Sequence, residues 1–160
     1  MNQPPSKKTA YIWALRYLAQ QELSQEELRR RLHRRRVEYD VVEEVIHQLQ
    51  LDGSLNDVRV AEQAIFGSLR RARQGPLAIK QKLAQRGIDH ETVDSVWAAA
   101  TGDVDWLIIA EGIKERYDMK DPRQRARCAR YLARQGFPSA IIRTVLAMEE
   151  PLEKEREPWL

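Results

Sequence analysis

Apolar residues in this chain recur on two scales at once. Within segments they fall three and four positions apart, the period of a helix face, and the whole pattern returns after about fifty residues. Leu15, Leu18, Leu28, Leu32, Val37, Val42, Val45 and Ile46 shift by 51 residues onto Phe66, Leu69, Ile79, Leu83, Ile88, Val93, Val96 and Trp97. A further shift of 49 carries the last six of these onto Cys128, Leu132, Phe137, Ile142, Val145 and Leu146. Units of this size bury their apolar faces partly on their neighbours. The spacing therefore predicts an all-α chain of three tandem three-helix repeats, forming an elongated, curved molecule. The repeats are expected at 11–56, 57–102 and 103–149, with a flexible N-terminus at 1–10 and a flexible charged tail at 150–160. The first helix of the third repeat, DWLIIAEGIKERY, falls out of register, which predicts a loop of different length there.

Helix boundaries are written into the same segments. Ser24 with Glu27, and Asp40 with Glu43, have the spacing of a capping box, in which side chain and backbone satisfy each other at a helix start. Pro76 and Pro122 fit first helical positions, where a missing N–H costs nothing, and Asp121 precedes the latter as a cap. In LAQRGI and LARQGF a glycine follows the leucine by four residues with an apolar residue after it, the pattern of a left-handed helix stop. The helices are expected to end near Arg86 and Gln135. In the first repeat Arg36 stands where the others have glycine, so that helix is expected to run on or to end differently.

The concentration of charge points to where a partner would act. Lys and Arg total 27 against 24 Asp and Glu, so the chain is nearly balanced overall and only local clusters matter. The densest is LRRRLHRRRV, residues 28–37. With Leu28 and Leu32 facing a core, Arg30 and Arg34 point outward, while Arg31 and Arg35 flank the apolar stripe. Glu26 and Glu27 lie four residues ahead of Arg30 and Arg31, the favourable order for helix pairs. Arg29 and Arg35 fall on Lys80 and Arg86 of the second repeat, beside Lys82, and Arg30 and Arg34 fall on Arg130 and Arg134 of the third. Arg70, Arg71 and Arg73 form a further cluster ahead of Gly75. These twelve residues (Arg29, Arg30, Arg34, Arg35, Arg70, Arg71, Arg73, Lys80, Lys82, Arg86, Arg130 and Arg134) are the candidate contact surface. A solvated helix face is the plain alternative for the run at 28–37.

Catalysis finds little support. His33, His47 and His90 stand apart from one another and from Cys128, with no metal-ligand spacing, and His90 reads as a helix-start residue. Cys128, the only cysteine, occupies a repeated core position; it precludes an intrachain disulfide and suits a reducing, cytoplasmic setting. Trp97 likewise occupies a core position. Rings that stack on bases need basic neighbours, and only Tyr17 beside Arg16 and Tyr131 beside Arg130 and Arg134 offer them. No catalytic residue, cofactor or metal is expected. The N-terminal apolar stretch is broken by Arg16 and does not read as a signal peptide, and no run reaches the length of a membrane span.

DGSLNDVRVAEQAIFGSLRRARQGPLAIKQKLAQRGID, residues 52–89, resembles the core signature of the RecX family in Leu55-Asn56-Asp57, Gly75-Pro76, Ile79, Leu83 and Gly87-Ile88. SQEELRRRL and RARCARYLARQGF resemble the family's first- and third-unit motifs, in the same order along the chain. Val60 stands where that family often has an aromatic, and RRARQ before Gly75-Pro76 lacks its usual extra glycine and aromatic. The resemblance implies an all-helical protein that binds the RecA filament on single-stranded DNA and restrains its recombinase and ATPase activities; the repeat and the lack of catalytic groups lead to the expectation of a non-enzymatic monomer. Recombination, DNA repair and the SOS response would be modulated in this way. Two other uses of the basic residues stay open: a module that binds nucleic acid directly, and a scaffold for an unrelated acidic protein. Trp159-Leu160 has the character of a docking tail with no named partner.

Overall fold

The computed structural model describes residues 3–147, and among these it contains nine α-helices and no strand. They are α1 (Lys7–Gln20), α2 (Gln25–Arg34), α3 (Tyr39–Leu51), α4 (Asp57–Arg71), α5 (Pro76–Gln85), α6 (His90–Thr101), α7 (Trp106–Lys114), α8 (Pro122–Arg134) and α9 (Ser139–Ala147). The order is three three-helix repeats. The tail beyond Ala147, including Trp159 and Leu160, lies outside the described residues. Packing divides the chain into two compact units whose boundary does not follow the repeats. One comprises the chain up to Gly67 together with Lys80–Gly102; the other comprises Ser68–Ile79 together with the chain from Asp103 onward.

In the first unit, α1, α2 and α3 enclose Ala10, Ala14, Leu23, Leu28, Leu32, Val42, Val45 and Leu49, all essentially solvent-free. In the second, α7, α8 and α9 enclose Ala110, Ile113, Cys128, Leu132, Phe137 and Val145. The repeated positions of the middle and last helices are core residues in most cases, with Trp97, Ile142 and Leu146 only half-buried. Leu15 and Phe66 depart from expectation, being 39% and 51% exposed. The inward face of α1 is carried by Ala10 and Ala14, one turn apart, which leaves Leu15 rotated about 100° away from it. Ala61 and Ile65 do the same to Phe66.

The alanines also correct the register of the third repeat. Ala10, Ala61 and Ala110 are each 0% exposed and follow the same 51- and 49-residue shifts. The first helix of that repeat therefore starts in step. It differs by ending early at Lys114, after which α8 begins at Pro122 and runs for 13 residues against 10 in α2 and α5.

Three further boundaries differ from the sequence reading. Ser6 caps α1, accepting from the Thr9 N–H, so the helix starts at Lys7 and Ala10 is already core, inside the stretch expected to be flexible. No box forms at Asp40: α3 starts at Tyr39 after Glu38, which makes no side-chain cap, so Asp40 already lies inside the first turn, and Glu43 is engaged by Arg29. The Ser24–Glu27 box is complete, and Asp121 caps α8 ahead of Pro122.

The third boundary is Arg36. It adopts φ +59, and α2 stops just as its counterparts do. The Arg36 N–H donates to the His33 carbonyl (2.8 Å) and the Val37 N–H to Leu32 (3.3 Å); Gly87–Ile88 and Gly136–Phe137 repeat both bonds. The left-handed turn alone costs an ordinary residue about 1 kcal/mol, which Arg36 bears. What separates the glycines is crowding. A Cβ on Gly87 would overlap the Glu26 side chain at the start of α2, within the first unit. A Cβ on Gly136 would overlap the Ala78 backbone at the start of α5, within the second.

Candidate functional site

The start of α2 is a dense polar junction with the end of α5. The Ser24 hydroxyl donates to the Arg86 carbonyl, and the Arg86 guanidinium reaches both oxygens of Glu27 at 2.9 Å and the Glu22 carbonyl at 3.0 Å. Glu27 simultaneously accepts the Ser24 N–H at 2.8 Å. Burial pushes the Glu27 carboxyl up, but Arg86 and the Ser24 N–H outweigh it and hold it below the ordinary value. The Gln25 N–H is taken by Asp57, at the head of α4, whose acidity burial reduces. Arg59 nearby binds Glu22 at 2.7 Å.

Arg29 is bound just as firmly. It spans Glu43 on α3 (2.6 Å) and Glu26 on its own helix (2.8 Å), and is only 26% exposed. The hydrogen bond from Arg29 is the main reason both carboxylates titrate below the ordinary range. Of the twelve basic residues named from sequence, Arg29 and Arg86 are thus tied into the fold. Arg30 shares Glu26 at 2.9 Å yet stays half exposed. The expected pair of Glu27 with Arg31 does not form, since Glu27 faces Arg86.

The remaining candidates project outward. Arg34, Arg70, Arg71, Arg73, Lys82 and Arg130 are exposed, with no acidic partner among the described residues; Arg36 shares this condition. Lys80 lies over the Trp97 ring, 4.8 Å from its centroid. Arg134 lies over Tyr131 at 5.9 Å and, with Arg127, Arg130 and Ala133, lines a shallow hollow on α8.

A second hollow lies between α1 and α2, lined by Trp13, Arg16, Tyr17, Gln20 and Arg35. The Arg35 guanidinium sits 4.7 Å from the Trp13 centroid, and its Nε donates to the Tyr17 hydroxyl at 2.8 Å. Arg31 covers the same tyrosine ring at 5.2 Å. The sequence pairs Tyr17 with Arg16, one residue away; the structure brings Arg31 and Arg35 to it from another helix. Trp13 and Arg31 were missed because only the α1–α2 packing assembles them, and the interval from Arg31 to Arg35 on one turn was the available signal.

Nothing in these arrangements supplies acid–base or nucleophilic chemistry. His33 stacks on Tyr39, His90 pairs with Asp94 at the surface, and Cys128 is fully enclosed, its thiol pushed up by burial. Among the described residues no group of histidine, cysteine and carboxylate side chains is placed to hold a metal, and no helix is long and apolar enough to cross a membrane.

Residues 10–49 match the RecX first three-helix domain and residues 56–96 the RecX second three-helix domain. The regulatory protein RecX of Halorhodospira halophila is 35% identical over 150 residues, spanning 91% of each chain. The chain belongs to the RecX family. The regulatory protein RecX of Pseudomonas entomophila is 32% identical over 139 residues, 84% of this chain and 87% of its own. Such coverage extends the RecX likeness past the two matched domains into the third repeat. The crystal structure of RecX from Lactobacillus salivarius superposes with a TM-score of 0.74 at 24% identity, over 89% of this chain and 95% of that one. A second RecX crystal structure reaches 0.77 at 21% identity, over 87% and 72%. Both carry the same RecX fold.

Proposed function

We propose that this chain is a non-enzymatic regulator of the RecA recombinase, acting in the cytoplasm as a monomer. It binds the RecA filament on single-stranded DNA, docks in the filament's helical groove and bridges neighbouring subunits. Bridging restrains the recombinase and DNA-dependent ATPase activities, and through them recombination, repair and the SOS response. Membership of the RecX family carries the reading; the outward-facing cations give it a surface.

Arg34, Arg36, Lys82, Arg130 and Arg134 are the residues best suited to an acidic, DNA-bearing partner, because the internal ion pairs leave them exposed. Arg70, Arg71 and Arg73 extend the set. Arg29 and Arg86 drop out of it as structural residues.

The test uses the full chain with charge reversal at Arg34, Arg130 and Arg134. Capture by purified RecA, with and without single-stranded DNA, should weaken about tenfold or more, as for reversed contact charges, while the melting temperature holds. Inhibition of the RecA ATPase should fall in parallel. Full inhibition by a stably folded triple variant refutes the contact surface, and failure of the unaltered chain to bind RecA refutes the function.

A further inference from the structure

We infer that the hollow between α1 and α2 is a binding site for a phosphate group, supplied by the backbone of a nucleic-acid strand. This rests on no part of the RecA reading, since the free protein binds without the recombinase.

Arg16 and Arg35 line the hollow with Trp13 and Tyr17, Arg31 lies over the same Tyr17 ring, and among the described residues no carboxylate lines it. The Arg35 guanidinium is held from two sides, over the Trp13 ring at 4.7 Å and by the bond from its Nε to the Tyr17 hydroxyl at 2.8 Å. The terminal nitrogens keep their N–H groups for a ligand. A guanidinium held in this way is preorganised for a tetrahedral oxyanion, with less freedom to lose on binding. Arg29 provides the contrast, since its donors are spent on Glu26 and Glu43.

The hollow measures about 150 Å³ and is open to solvent on one side, which gives room for a phosphate group still attached to its strand. The rings are also covered by guanidinium groups, so they serve as platforms for arginine rather than for bases. Binding should accordingly be indifferent to base sequence and sensitive to salt.

The experiment is fluorescence anisotropy of a labelled single strand of about twenty nucleotides across a salt series, with the full chain. Arg16→Gln with Arg35→Gln, the two cations that line the hollow, should weaken binding about tenfold at low salt and flatten the salt slope by about 1.4, the value for two lost single-strand phosphate contacts. Arg143→Gln, one exposed charge on α9 outside the hollow, should change affinity less than about twofold. Trp13→Leu removes no charge yet should weaken binding severalfold, with Trp13→Phe restoring it. Tyr17→Phe, which takes only the hydroxyl that orients Arg35, gives the same reading if Trp13→Leu unfolds. Inorganic pyrophosphate should compete with the strand if the site reads phosphate alone; strand binding without such competition means that it requires the polymer, which equally fits. Wild-type affinity in the double variant overturns the proposal, as does wild-type affinity in a folded Trp13→Leu or Tyr17→Phe chain. Poly-glutamate of equal length binding as tightly as DNA, with the same loss on mutation, would mean a site for acidic peptides and overturn it too.

Discussion

Gly75→Ala should destabilise the protein although the backbone there is open to any residue. At such a site the change ordinarily stabilises by about 0.4–1 kcal/mol, because alanine has less freedom to lose on folding. Here the new Cβ would lie 2.5 Å from the Gly136 carbonyl oxygen and 2.6 Å from the Phe137 nitrogen, both backbone atoms that no rotamer change can move. Ordinary contact at 3.4 Å requires the end of α8 and the start of α5 to part by about 0.9 Å. Two hydrogen bonds cross that gap, from the Gly75 N–H to Gln135 at 2.7 Å and from the Leu77 N–H to Gly136 at 3.0 Å. After the shift both exceed about 3.5 Å and are lost. Each is worth about 1 kcal/mol, and more if its donor is left dry. A net loss of about 2–4 kcal/mol follows. Gly53→Ala is the control, with φ +79 and nothing within 4 Å, so it carries only the left-handed cost of about 1 kcal/mol. Urea unfolding gives the two energies, and amide exchange at Gly75 and Leu77 reports the two bonds directly. Equal losses in the two variants, or undiminished protection of those amides, would show that close approach does not matter at this junction.

Arg86→Ala should cost about 2–3 kcal/mol, since it removes three charge-assisted bonds and leaves Glu27 three-quarters buried without its cation; thermal melting would show it, and Arg34→Ala should be neutral beside it. Ser68→Ala should stabilise by about 1 kcal/mol, because the Ser68 hydroxyl is buried on α4 with no hydrogen-bond partner among the described residues; an unchanged or lower midpoint counts against this. Stability should fall in acid. Glu26, Glu27 and Glu43 have folded-state values below their ordinary 4.5, so their contribution is complete above 4.5 and is lost as pH drops through the lower folded values. Asp57, raised by burial, works the other way and favours the fold more as it protonates. Asp57→Asn should therefore steepen the loss of stability in acid, whereas Glu27→Gln should flatten it, a comparison that denaturation at a series of pH values would make.

Large apolar residues and glycine punctuation made the middle and last helices legible. Leu28, Leu32, Ile79 and Leu83 are spaced as one helix face and are buried as one. The first helices were harder to read because their cores rest on alanine, which hydrophobic spacing barely distinguishes from surface; Leu15 and Phe66 drew the eye instead. Charge was least legible of all. Arg86 and Glu27 are 59 residues apart and Arg29 and Glu43 are 14 apart, so only packing reveals that two promising surface cations are internal. Arg36 shows that the left-handed turn itself does not require glycine; at the other two stops crowding adds to the demand.

The meeting of α5 with α8 also bears on how the chain is made. Gly75 leaves the ribosome about sixty residues before Gln135, the acceptor of its N–H, and at about 5–20 residues per second that is an interval of roughly 3–12 s. Through this interval the far end of α5 can settle on α2, since Arg86, Glu27 and Ser24 have all emerged soon after Gly87. The growing chain thus holds a finished seam at one end of α5 and a vacant one at the other. Until α8 emerges, water must serve the Gly75 and Leu77 amides, and a helix end from any neighbouring nascent chain would find the same two donors waiting.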